Sequence, residues 1–209
     1  MSEKLVNALI NMKEKEAIQL AKDLIEGGED PVKILEACKD AMNTVGKRFE
    51  KGEYFLPELI MAGEMLNQIS DVVKPKLKGE VETESLGKVI VGTVKGDIHD
   101  IGKDIVVFML GVNGFEVIDL GIDVPVEKFV DAIKETGSKM LGLSGFLTLA
   151  YDSMKETVDA IKEAGLRDGI KIMIGGGQID EKVKDFSGAD AYGKDAMDAV
   201  KLAKSWIGG

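Results

Sequence analysis

The sequence predicts a small four-helix bundle followed by a doubly wound α/β domain with a five-stranded parallel sheet. Three observations carry that reading. The apolar spacing of residues 1–75 is helical, a charged aperiodic stretch follows, and from Gly87 onward short apolar runs alternate with helical stretches.

The bundle opens with a short helix. Lys15 to Glu26 (KEAIQLAKDLIE) then places Ala17, Ile18, Ala21, Leu24 and Ile25 on one helical face, and Gly27-Gly28 ends it. Asp30-Pro31 supplies an N-cap and a proline in the first turn of the next helix. Its expected apolar face is Val32, Leu35, Ala41, Met42, Val45 and Phe49, with Gly52 as the stop. After GEYFLPE a last helix carries Leu59, Ile60, Met61, Met65, Leu66 and Ile69 up to Pro75. Phe49, Phe55, Leu59, Met61 and Met65 are expected to be mostly bundle core, and Cys38 a buried small apolar residue. The stretch KLKGEVETES (Lys76 to Ser85) reads as the centre of a 76–86 linker.

In residues 87–209 the strands are KVIVGTV, FEVIDLG, KMLGLSG, IKIMIGGG and ADAYG, each followed by a helical stretch. That alternation implies a parallel sheet covered on both faces, flavodoxin-like or Rossmann-like. Ligands of such folds sit beyond the carboxyl ends of the strands. The loops there are VKGDIHDIGK, GIDVP, SGFLTLAYD, GGGQID and YGKD, which make that edge the expected functional face.

Composition narrows the functional classes. A formal net charge of −10 argues against nucleic acid, and 5% aromatic residues offer no ladder for base stacking. No apolar run is long enough to cross a bilayer, and the charged N-terminus reads as no targeting segment. One cysteine permits no internal disulfide, so a reducing cytoplasm is the expected location.

Glycines near the first strand invite a phosphate-loop reading, but the spacing fails. Gly96 and Gly102-Lys103 are separated by five residues where the loop needs four, and Asp104 stands in the hydroxyl position. Asp97 and Asp100 would repel a phosphate, and the Gly-x-Gly-x-x-Gly pattern is absent. A phosphoacceptor site built from Asp97, Asp119 and Asp123 lacks its acidic cluster at the first strand and leaves His99 without a use.

His99 is the single histidine of the chain, on the turn after the first strand. Gly96 and Gly102 bracket it and allow close backbone approach. Asp97 precedes it by two residues and can accept a hydrogen bond from one ring nitrogen while the other faces outward. That pairing fixes the tautomer and raises the basicity of a metal-ligating imidazole. With one distant cysteine and no second histidine, a conventional zinc site is excluded. A single imidazole suffices only where a cofactor supplies the remaining metal ligands.

GDIHDIG resembles the Asp-x-His-x-x-Gly motif of cobalamin-binding domains, in which histidine replaces the cofactor's own benzimidazole as lower cobalt ligand. LSGFLT (Leu143 to Thr148) is similar to the family's second motif, IGGGQ (Ile174 to Gln178) to its glycine pair after the fourth strand, and FEKGEYFLPELIMAGEM to the helical cap of methyl-transferring corrinoid proteins. The match is best with the carriers of methylamine, methanol and O-demethylase systems, and more distant with the cobalamin module of methionine synthase. The resemblance implies His99 as metal ligand, with cofactor contacts from Gly96, Asp97, Ile98, Asp100, Ile101, Gly102, Ser144, Leu147, Thr148, Gly175, Gly176, Tyr192 and Ala196. It implies hydroxyls at Ser144 and Thr148 near the nucleotide tail, a slot opened by Gly175 and Gly176, and shielding of the upper corrin face by a cap residue near Tyr54, Phe55 or Leu59. Where methionine synthase carries its histidine-aspartate relay on to a hydroxyl, this chain has Ala150, so the relay is expected to stop at Asp97 or pass to water.

The function so implied is a methyl carrier holding cobalamin, as methylcobalamin or Co(I) corrinoid. It would work between a substrate-specific methyltransferase and one that passes the methyl to tetrahydrofolate or a thiol, with a reductive activase as a further partner. Three other classes share parts of this pattern. A cobalamin-dependent regulator needs a DNA-binding segment, which is not read here; a mutase small subunit is not expected to carry GEYFLPE; an apo flavodoxin-like interaction protein would take up no corrinoid.

Overall fold

The computed structural model describes residues 2–76 and 85–207, and the chain falls into two compact units, Met1–Thr83 and Glu84–Gly209. Most of the expected 76–86 linker (77–84) lies outside the described residues.

Among the described residues the first unit holds four helices, α1 (Ser2–Ile10), α2 (Glu14–Glu26), α3 (Pro31–Glu50) and α4 (Leu56–Val73), and a 3-10 turn at Lys74–Lys76. Asp30 caps α3 as its position predicts: the side chain accepts the N–H of Val32 at 3.0 Å. Leu5, Leu9, Leu24, Met65 and Ile69 are fully or almost fully buried in the bundle core.

The buried face of α3 matches the expected one at Ala41, Met42 and Val45 and differs elsewhere. Ile34, Ala37, Cys38, Ala41, Met42, Val45 and Gly46 face inward, while Val32, Leu35 and Phe49 are only half-buried. The small Ala37, Cys38, Ala41 and Gly46 share that face with the almost fully buried Ile34, Met42 and Val45. Two expected core residues of the last segment, Phe55 and Met61, are exposed, as is Ile60. Leu59 and Met65 take the inward positions on α4.

The second unit alternates β1 (Lys88–Thr93), α5 (Ile101–Val112), β2 (Glu116–Asp119), α6 (Val126–Thr136), β3 (Met140–Gly145), α7 (Ala150–Glu163), β4 (Lys171–Gly176), α8 (Glu181–Ser187), β5 (Ala191–Tyr192) and α9 (Ala196–Ile207). All strand pairs are parallel, in the order β2-β1-β3-β4-β5. Helices α5 and α9 pack together, and α6, α7 and α8 pack in succession. The core includes Ile90, Leu141, Leu143, Ile172, Ile174 and Phe129. Strand order reverses between β1 and β3, where Thr93 lies level with Ser144. In folds of this kind ligands bind beyond the carboxyl ends of the strands at such a reversal.

Candidate functional site

The loops after β1 and β3 meet at this switch point. Val94 continues from β1 with its N–H on the Ser144 carbonyl (2.9 Å), and the chain then turns through Val94–Asp97, closed by Asp97 N–H donating to Val94 O at 3.1 Å. The turn aims the Asp97 carboxylate inward.

Asp97 accepts four hydrogen bonds. Oδ1 takes the His99 N–H (2.9 Å) and Nδ1 of the His99 ring (2.7 Å); Oδ2 takes the N–H groups of Phe146 (2.7 Å) and Leu147 (3.0 Å). The side chain is 1% exposed. Burial works to raise its pKa, but the N–H groups of Leu147, His99 and Phe146, with the His99 ring, outweigh it and bring the carboxyl from 3.8 down to about 2. An ionised carboxylate needs a donor from the ring, so Nδ1 carries the hydrogen that meets Oδ1 and Nε2 is the ring nitrogen that Asp97 does not engage. The His99 side chain is 49% exposed. Its ring stacks beside Phe146 at 4.6 Å between centroids, tilted 32°. From beneath, the buried Thr93 hydroxyl donates to the His99 carbonyl at 3.0 Å.

The relay expected to end at Asp97 or reach water ends on the backbone. Oδ2 is taken by two N–H groups of the β3–α7 loop, and Ala150 is buried where the hydroxyl was sought.

The segments that follow β1 and β3 carry exposed apolar side chains. Ile98, Ile101, Phe146, Leu147 and Leu149 are all exposed, Ile98 by 68% and Leu149 by 75%. A Cβ added at Gly96 or Gly102 would meet nothing within 4 Å, so the space over this edge is open. Asp100 is the N-cap residue of α5, and its carbonyl accepts the Asp104 N–H at 2.7 Å. Ser144 is half-buried at the end of β3 and Thr148 is exposed in the loop beyond. Tyr192 on β5 is half-buried beside Ile174 of β4, and Ala196 is buried at the start of α9.

The glycine pair needs a correction. At Gly176, where φ is +127°, a Cβ would lie 2.0 Å from the Gly145 carbonyl oxygen. Its lack of a side chain therefore lets β4 approach β3 and does not by itself open a slot. Gly177 packs similarly against the Phe146 carbonyl, at 2.7 Å from an added Cβ. Gly175 has room, with Gly193 O at 3.6 Å, an ordinary contact.

In the helical unit, Tyr54 donates its hydroxyl hydrogen to Ile10 O and accepts from Arg48 at 2.7 Å. Leu59 is 2% exposed and belongs to the bundle core, whereas Phe55 is 65% exposed.

Sequence reasoning missed Thr93, Phe146 and the structural use of Asp123. A lone hydroxyl at the end of an otherwise apolar strand was the available signal for Thr93. The N–H groups of Phe146 and Leu147 carry no sequence signal at all.

A half-exposed imidazole with one ring nitrogen held by a buried carboxylate has its other ring nitrogen available to a ligand. Comparison with known proteins shows the family. The B12 binding domain matches residues 87–201, and a second B12 binding domain model matches residues 1–74; the chain belongs to the B12-binding family. It is 40% identical to trimethylamine corrinoid protein 1 of Methanosarcina acetivorans over 95% of this chain and 93% of that one. It is 38% identical to dimethylamine corrinoid protein 1 of Methanosarcina mazei over 99% and 96%. Among solved structures, a cobalamin-binding protein from Desulfitobacterium hafniense matches with a TM-score of 0.78 at 41% identity, covering 99% of this chain and 98% of that one. The methanol:cobalamin methyltransferase complex of Methanosarcina barkeri matches with a TM-score of 0.84 at 29% identity, covering 99% and 79%. Among the described residues no helix is long and apolar enough to cross a membrane.

Proposed function

We propose that this chain carries a methyl group on a bound cobalamin between a substrate-specific methyltransferase and a second methyltransferase that passes it to tetrahydrofolate or a thiol. A reductive activase and a cytoplasmic setting belong to the same reading. The observation that carries it is the Asp97–His99 pair, with Nδ1 committed to Oδ1 at 2.7 Å and the ring half-exposed on an apolar rim. Relatives named as methylamine corrinoid proteins span both halves of the chain, which favours a carrier over a regulator or a mutase subunit.

The residues present fit the cofactor. His99 offers one nitrogen lone pair, Ile98, Ile101, Phe146, Leu147 and Leu149 offer apolar surface, and the space beside Gly96 and Gly102 is open. When bound, cobalamin supplies a cobalt that accepts and gives up the methyl group. The protein's part is to hold and tune. His99 would hold the cobalt through Nε2. Asp97 fixes the tautomer and, with a pKa of about 2, stays ionised rather than removing the ring proton. Gly96, Ile98, Asp100, Ile101 and Gly102 form one wall of the site, and Ser144, Leu147 and Thr148 another. Gly175, Gly176, Tyr192 and Ala196 line the path proposed for the tail.

The test is transfer of a carbon-13-labelled methyl group. Protein loaded with labelled methylcobalamin is mixed with an acceptor methyltransferase and either tetrahydrofolate or a thiol. Labelled product from the loaded wild type at a rate well above that with free methylcobalamin supports the carrier reading. Equal rates with and without the protein contradict it.

A further inference from the structure

We propose that Asp123 is a positioning residue for His99, acting through the Val94–Asp97 turn; this rests on reading His99 as the cobalt ligand. Asp123 lies in the β2–α6 loop with φ +49°, one of two non-glycine residues of positive φ among those described. Aspartate tolerates that left-handed conformation better than most residues.

Two hydrogen bonds join it to the histidine turn. Its Oδ1 accepts the Gly96 N–H at 2.7 Å, and its own N–H donates to the Asp97 carbonyl at 3.0 Å. With Gly96 at φ +82° and Asp97 N–H on Val94 O, the turn has the type II form, in which the N–H of the third residue has no partner inside the turn. The Asp123 carboxylate takes that N–H. Asp97 is thereby held by its N–H, its carbonyl and its carboxylate at once.

The effect reaches the imidazole directly. His99 is tied to Asp97 Oδ1 by both its N–H and its Nδ1, so any displacement of Asp97 moves the ring. The two loops themselves are held by other bonds: Thr93 N–H to Gly121 O (2.9 Å), Val124 N–H to Thr93 O (3.0 Å) and the Val94–Val124 bridge. Losing the Asp123 carboxylate therefore loosens the turn without releasing the loop.

The experiment uses Asp123→Gly, which keeps left-handed freedom and loses the acceptor, and Asp123→Asn, which keeps both. His99 is the single histidine, so a long-range proton–nitrogen NMR spectrum of the cobalamin-free chain at about pH 9, where an ordinary imidazole is neutral, reads its tautomer without overlap. Hydroxocobalamin affinity is measured in parallel. Wild type and Asp123→Asn are expected to hold one Nδ1–H tautomer. Asp123→Gly is expected to show a tautomer mixture and about tenfold weaker cobalamin binding, with little change in thermal midpoint. An Asp123→Gly spectrum identical to wild type, or failure of Asp123→Asn to restore it, overturns the proposal. A tautomer shift in a chain whose wild type takes up no cobalamin upholds the positioning role and overturns the cofactor reading; normal uptake with no shift does the reverse.

Discussion

Asp97 Oδ2 accepts the N–H of Phe146 at 2.7 Å, tying the turn after β1 to the loop after β3 across the switch point of the sheet. The two loops are thus joined by the same carboxylate that orients His99. Asp97→Asn cannot reproduce this, because its amide must face either the two loop N–H groups or the histidine. We expect the substitution to cost about 2 kcal/mol of stability, read as a lower urea midpoint, and to weaken cobalamin uptake.

The same carboxylate sets a pH dependence. Its folded pKa of about 2 lies below the ordinary 3.8, so protonation favours the unfolded chain. The stabilisation is fully present above about pH 4 and is lost as pH falls through the folded value, amounting to about 2 kcal/mol in all. Urea midpoints of cobalamin-free wild type and Asp97→Asn should therefore converge on acidification from pH 6 to pH 3. A gap that stays constant contradicts this assignment.

The glycines after β4 separate packing from ligand space. Gly176→Ala puts a Cβ 2.0 Å from Gly145 O at a positive φ, and should cost about 3 kcal/mol or more, or abolish folding. Gly175→Ala meets only an ordinary 3.6 Å contact and should stay within about 1 kcal/mol of wild type, while lowering cobalamin affinity. Thermal melts and cobalamin titrations of the two variants distinguish these effects.

The buried Cys38 thiol gives an internal check on the bundle. Burial pushes its pKa up to about 12, so it should resist a disulfide reagent at pH 8 in the folded chain and react on unfolding in urea. Rapid native reaction would mean that the Ile34–Ala37–Cys38 seam is not packed as described.

Much of this architecture was legible because its signals are local. Helical spacing, Asp30-Pro31 and the alternation of strands with helices each act over a few residues, and the parallel sheet follows from them, though not its strand order. The buried face of α3 was legible in part: Ala41, Met42, Val45 and Cys38 are buried as expected, whereas Val32, Leu35 and Phe49 were overweighted for their size and Ile34, Ala37 and Gly46 were not read. At the site, Asp97 and His99 were readable as a pair two residues apart. Their fixation was not: Phe146, Leu147 and Asp123 come from distant loops and act largely through backbone groups. Gly176 looked like ligand space, since a motif does not reveal that the Gly145 carbonyl already lies against it.

The central claim is that His99 ligates cobalt through the nitrogen not engaged by Asp97. The most direct measurement is the visible absorption spectrum of methylcobalamin-loaded wild type beside His99→Ala. The account predicts a histidine-ligated spectrum for the wild type, with weaker uptake and a spectrum lacking the lower nitrogen ligand for the variant. Identical spectra, or a wild type that takes up no cobalamin, would contradict it.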